Sequence, residues 1–177
     1  MEFFVQLDPE VYLEEFVQLN IETVTWHSEQ LNKMYKINTT STTGQNIREY
    51  VDEHLKDLIG LKPPNGIVYL LKVEDKIVGM GVIKKLNDDI GEIERMYIRP
   101  DYRGRGLGKQ MLNRLLKDGR DLGYSTFRLS TPKFAKAAQH IYKSVGFIER
   151  EEYPESEVPD TLRQYWLYME KKESRTI

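Results

Sequence analysis

The stretch from Gly91 to Ser130 restricts the fold more than any other part of the chain. Gly91 to Ile98 reads as a strand, and a glycine-rich segment follows it. Leu107, Met111, Leu112, Leu115 and Leu116 then recur at helical spacing, stopping near Gly123, and Tyr124 to Ser130 reads as a second strand. Strand, long crossover helix and strand form a βαβ unit, in which the two strands run parallel.

The remaining patterns fit around that unit. Asp8-Pro9 has the form of a helix cap followed by proline in the first turn. Leu13, Phe16, Val17, Val24, Leu31 and Met34 continue at roughly helical spacing to about Lys36, with Trp26 and Tyr35 expected in the core. Asn38 to Thr43 reads as a loop, with Thr43 a candidate cap for the next helix. Ile47, Tyr50, Val51, Leu55, Leu58 and Ile59 share the face of that helix, which Gly60 closes.

At Pro63-Pro64-Asn65-Gly66 the chain changes from helical periods to strands. Ile67 to Val73 and Ile77 to Lys84, separated by Glu74-Asp75-Lys76, predict a hairpin. Lys133 to Val145 predicts a further helix, ended by Gly146. Phe147 to Tyr153 and Tyr165 to Met169 predict two last strands. With 177 residues and no linker or repeat, a single α/β domain with a mixed sheet is expected.

Composition narrows the function classes. The formal net charge is −2, which gives no global attraction to nucleic acid or an anionic membrane. The chain has no cysteine, so disulfides, thiol nucleophiles and thiolate metal sites are all removed, in keeping with a reducing cytoplasm. His27, His54 and His140 lack ligand spacing, so no metal site is expected. No apolar run approaches the ~20 residues of a membrane helix, and the first residues lack the pattern of a secretory signal.

Chemistry concentrates in Arg103-Gly104-Arg105-Gly106-Leu107-Gly108-Lys109, between a strand and a helix. Glycines there can turn successive N–H groups inward, and the positive end of the helix favours an anion. Arg103, Arg105 and Lys109 add charge suited to phosphate. A Walker loop needs a longer glycine spacing and a hydroxyl after its lysine, where this chain has Gln110. A dinucleotide fingerprint needs G-x-G-x-x-G, and this chain has G-x-G-x-G.

Ile93 to Lys109 closely resembles the acetyl-CoA-binding motif of the GNAT superfamily of N-acetyltransferases. Ala138 to Phe147, carrying Tyr142 and then Gly146-Phe147, resembles the family's second motif. The resemblance spans about residues 67–171, the expected cofactor-binding core. Residues 1–62 match only in being helical. It implies a single GNAT-like α/β domain over 1–177, whose mixed central sheet holds a splayed pair of parallel strands flanked by helices.

The resemblance also implies a mechanism. A bulge in the strand before the loop would leave Met96, Tyr97 and Ile98 free to pair with the pantetheine arm of acetyl-CoA. An N–H near Met96 or Tyr97 would polarise the thioester. Arg103, Gly104, Arg105, Gly106, Leu107, Gly108 and Lys109 would cradle the pyrophosphate. Glu92 and Glu94, on one face of the strand by alternation, are candidate bases acting through water, and Tyr142 is the candidate acid for the leaving thiolate. One departure stands out: many relatives have asparagine where this chain has Ala135, with Ser130 and Thr131 nearby as partial substitutes.

The expected reaction is direct transfer of an acetyl group to a primary amine of a small molecule or protein. The alternative is an acyl-CoA sensor without transfer activity. In this family the N-terminal helices and the loop before the last strand usually build the acceptor pocket. Here that loop, Glu149 to Asp160, is acidic and suited to a cationic amine. No nucleic-acid or membrane partner is expected, and a homodimer stays open.

Overall fold

The structure, a computed structural model, describes residues 1–173. Its centre is a seven-stranded sheet. The strands are β1 (Glu2–Gln6), β2 (Gly66–Val73), β3 (Lys76–Lys85), β4 (Ile90–Ile98), β5 (Thr126–Pro132), β6 (Ile148–Arg150) and β7 (Trp166–Lys172), in the order β1-β2-β3-β4-β5-β7-β6. All neighbours are antiparallel except β4 and β5. That pair is joined by α4 (Leu107–Asp121), as the βαβ reading requires.

Helices cover both faces. On one side α1 (Pro9–Tyr35) and α3 (Ile47–Ile59) bury Phe16, Leu19, Val51, Leu55 and Leu58 against Val68, Leu70, Met80 and Val82. On the other, α4 and α5 (Lys136–Ser144) enclose a second core with Tyr69, Ile83, Ile93, Met111, Leu115 and Phe127. Each such fully buried side chain contributes about 1.5–3 kcal/mol. Gly81 sets how closely α4 approaches β3: a Cβ there would lie 2.8 Å from Met111 Cγ.

Local signals explain the helix ends. Asp8 Oδ1 accepts from the Glu10 N–H at 3.0 Å, and Lys36 closes α1 in the left-handed region at φ 58°. The expectation for Asn38 to Thr43 needs correction. It forms a short helix, α2 (Thr39–Thr43), capped by Asn38 and closed by Gly44. Thr43 caps nothing downstream. Asn46 begins α3 in a reciprocal capping box with Glu49.

Three further differences have physical causes. Strand β1 escaped the sequence reading because five residues, only partly apolar, give little periodic signal, yet it finds an edge partner in β2. The helix expected from Lys133 begins at Lys136, because the chain first turns, with the Ala135 N–H on the Pro132 carbonyl at 3.0 Å and the Lys136 N–H on the Phe134 carbonyl at 2.9 Å. The strand expected to reach Tyr153 stops at Arg150, and Tyr153 turns inward instead.

The decisive irregularity is in β4. Its register with β3 pairs Met80 with Tyr97 and Val82 with Glu94, leaving both Arg95 and Met96 opposite Gly81. Arg95 takes φ 54°, so this is a bulge. Pairing between β4 and β5 runs only from Ile90–Thr126 to Glu92–Arg128. Beyond Glu92 the parallel strands part.

Candidate active site

The parting of β4 and β5 opens into a cleft of about 830 Å³. Among its lining residues are Glu92, Ile93, Glu94, Arg95, Met96, Tyr97 and Ile98 from β4 and Arg103, Gly104, Gly106, Leu107, Gly108 and Lys109 from the loop and α4. The structure thus brings nearly all the sequence candidates to one place. Strand edges that lose their partner here retain unpaired N–H and C=O groups, able to receive an extended amide-bearing chain.

Gly104 and Gly106 both lie in the left-handed region, at φ 77° and 76°. A Cβ at either would meet no atom within 4 Å, so backbone conformation, not crowding, demands glycine. Gly106 caps α4 without any side-chain hydrogen bond. The first-turn N–H groups therefore lack an internal acceptor, and their partial positive charge faces the cleft.

The cationic residues divide their work. Arg103 Nε donates to the Ile98 carbonyl at 2.8 Å, and its guanidinium lies 5.6 Å from the Tyr97 ring centroid, tying the loop to the strand end. Arg105 instead lies over the Tyr102 ring and donates to the Asp101 carbonyl, outside the cleft lining. Lys109 lines the cleft beside the helix start.

The two glutamates face the same cleft in different states. Glu92 is 2% exposed, and its Oε1 accepts from the Tyr153 hydroxyl at 2.6 Å while its Oε2 has no partner. Burial, reinforced by the neighbouring Glu94 charge, holds its pKa well above the usual carboxylate range. Glu94 lies beside Glu92, whose carboxyl proton it can accept, and its nearest cation is Lys84 Nζ at 3.6 Å. Lys84 is shared with Glu157.

Tyr142 reaches the cleft from α5, packed edge-on against Phe147 with ring centroids 6.0 Å apart. Burial raises the pKa of its phenol, so it keeps its proton at neutral pH. Ser130, Thr131 and Ala135 line the same wall. Ala135 stands at the start of α5 and offers no side-chain cap.

Several site residues carried no readable signal in the sequence. Trp26 does not enter the core as expected: it is half-buried, lines the cleft and packs on Phe134 at 5.4 Å. His27, Phe134 and Trp166 complete that group of rings. Tyr35 is likewise half-buried, against Tyr165. Phe134 and Trp166 are distant in sequence, and the register Pro132 to Trp166 between β5 and β7 unites them. Burial, with Arg95 adding to it, lowers the His27 pKa to about 4, leaving a neutral imidazole.

The acidic loop is less free than its composition suggests. Glu149 pairs with Lys143, Glu152 with Arg163, Glu155 with Arg128 and Glu157 with Lys84. Among the described residues, no group of three His, Asp or Glu side chains could hold a metal ion, and no helix is long and apolar enough to cross a membrane.

A bulged and splayed β4–β5 pair above an uncapped, glycine-led helix start defines the class. Residues 31–147 match the acetyltransferase (GNAT) family, and the chain belongs to that family of N-acetyltransferases. It is 32% identical over 100 residues to the uncharacterized N-acetyltransferase YjgM of Escherichia coli K12, a match covering 54% of this chain and 60% of that protein. It is 28% identical over 122 residues to the uncharacterized N-acetyltransferase YsnE of Bacillus subtilis, covering 59% and 80%. The match thus spans less than two thirds of the E. coli protein's length. The fold superposes on the PaiA N-acetyltransferase of Thermoplasma acidophilum, solved in complex with coenzyme A, with TM-score 0.69, 17% identity, and coverage of 97% and 99%.

Proposed function

We propose that this chain moves an acetyl group from acetyl-CoA directly to a primary amine. The observation that carries this reading is the bulge at Arg95 and Met96. It opens the sheet beside the uncapped start of α4 and within the same cleft as the Glu94 carboxylate and a protonated phenol.

Within this reading, the N–H groups at the start of α4, with Lys109, receive the pyrophosphate. Met96, Tyr97 and Ile98 offer free backbone groups to the pantetheine amides, and an N–H at the bulge stabilises charge on the thioester oxygen. Glu94 takes a proton from the acceptor ammonium, directly or through water, because a free alkylamine is mostly protonated near pH 7. The amine nitrogen then bonds to the acetyl carbon, and the carbon–sulfur bond breaks. Tyr142 supplies a proton to the departing thiolate. Glu92, buried and fixed by Tyr153, holds its place in the cleft wall beside Glu94.

The test is release of free thiol from acetyl-CoA by purified protein offered a panel of primary amines. Acceptor-dependent release supports the reading. Tight coenzyme A binding without turnover of any amine would replace it with a sensor.

A further inference from the structure

Arg95 lines the cleft, and its side chain has no part in the proposed reaction. Its side chain is 15% exposed. Among the described residues its guanidinium makes no hydrogen bond, and its sole ion-pair partner is Glu157 at 4.0 Å. That partner is held more closely by Lys84. Neighbouring arginines are satisfied: Arg99 bonds to Glu22 and the Ile77 carbonyl, and Arg103 bonds to the Ile98 carbonyl. Charges so withdrawn from water are ordinarily paired and hydrogen-bonded.

The bulge explains where Arg95 points. Regular alternation would send residues 94 and 95 to opposite faces of the sheet. The left-handed turn at Arg95, φ 54°, brings it into the cleft that Glu94 also lines. His27 on α1 and Tyr50 on α3 line the same cleft, and both feel the Arg95 charge. A carboxylate acceptor and an unfilled guanidinium donor therefore line one cleft with half-buried Trp26, Phe134 and Trp166.

We propose that the amine acceptor is an α-amino acid with an apolar side chain, whose carboxylate is received by Arg95. A planar guanidinium can bind a carboxylate through two parallel N–H donors. Glu94 then faces the amino group, and the aromatic wall receives the side chain. This inference rests on the acetyl-transfer reading above and adds the class of acceptor to it.

The experiment compares apolar amino acids with their decarboxylated amines, such as L-phenylalanine with 2-phenylethylamine, by thiol release from acetyl-CoA. The wild-type protein is expected to favour the amino acid at least tenfold in kcat/KM. Arg95→Gln should raise KM for the amino acid about 10- to 100-fold and bring the preference ratio near one. Arg95→Lys should restore part of it. Coenzyme A affinity and thermal unfolding report whether each variant is folded. A wild-type ratio near one, or an Arg95→Gln loss that falls equally on acid and amine, would overturn the assignment. So would a loss confined to coenzyme A affinity, which would make Arg95 a donor-side residue. Turnover of amines but not amino acids sinks this inference alone, whereas no turnover of any acceptor sinks the acetyl-transfer reading itself.

Discussion

The Tyr153 hydroxyl donates to Glu92 Oε1 at 2.6 Å, joining the loop after β6 to the point where β4 and β5 part. Both side chains are buried, so the bond is a structural commitment. Tyr153→Phe removes the donor and leaves both Glu92 oxygens unpartnered. The expected loss of stability is about 1–3 kcal/mol, measured by urea unfolding, with a further rise in the Glu92 pKa. A Tyr153→Phe protein as stable as wild type would mean that water replaces the hydroxyl at no cost.

His27 makes stability depend on acid. Its pKa is lowered from 6.5 to about 4 in the folded chain, so the unfolded state binds the extra proton first as pH falls. Stability from this group is full above pH 6.5 and is lost progressively as pH falls from there to about 4, by on the order of 3 kcal/mol. His27→Gln should flatten the stability profile between those limits. Unfolding midpoints of both proteins across that range test it, and parallel profiles would remove His27 from the account.

Gly106 carries a conformational demand that valine cannot meet. At φ 76° a β-branched side chain is strained, although no neighbour blocks its Cβ. Gly106→Val should twist the start of α4 and weaken coenzyme A binding at least tenfold by calorimetry. Normal affinity in the variant would detach the loop from cofactor binding.

Much of this was legible in advance, and for definite reasons. Leu107, Met111, Leu112, Leu115 and Leu116 repeat at the helical period, so α4 and its parallel crossover could be read directly. The loop glycines are local conformational requirements and announce themselves. Trp26 was wrongly expected in the core, because its helical spacing is the same whether a ring meets the core or the edge of a cleft. The pair Phe134 and Trp166 depends on strand register, which no local pattern encodes. Arg95 was hidden by the bulge, since alternation assigns it to the wrong face.

The phenol of Tyr142 is matched to giving a proton and poorly matched to taking one, because burial raises its pKa. Tyr142→Phe keeps the ring packed against Phe147 and deletes only the hydroxyl. The expected result is a fall in kcat of about 10²-fold, with KM for acetyl-CoA changed less than about threefold, since general acid catalysis acts in the transition state. A loss confined to KM would make the hydroxyl a binding contact.

The two glutamates separate under isosteric substitution. Glu92→Gln retains an acceptor for Tyr153 and removes a carboxyl whose pKa already lies above the usual range, so activity should fall less than about tenfold. Glu94→Gln removes the carboxylate assigned to proton transfer, and kcat should fall about 10²- to 10⁴-fold. Raising the pH separates the roles further. Glu92 stabilises the fold while protonated and loses that contribution as pH rises above the usual carboxylate range toward its raised value. Glu92→Gln should therefore unfold less readily than wild type at alkaline pH, while Glu94→Gln shows its deficit in turnover. Equal kinetic losses from both substitutions would mean that the pair acts as one unit, and the assignment of proton transfer to Glu94 alone would fail.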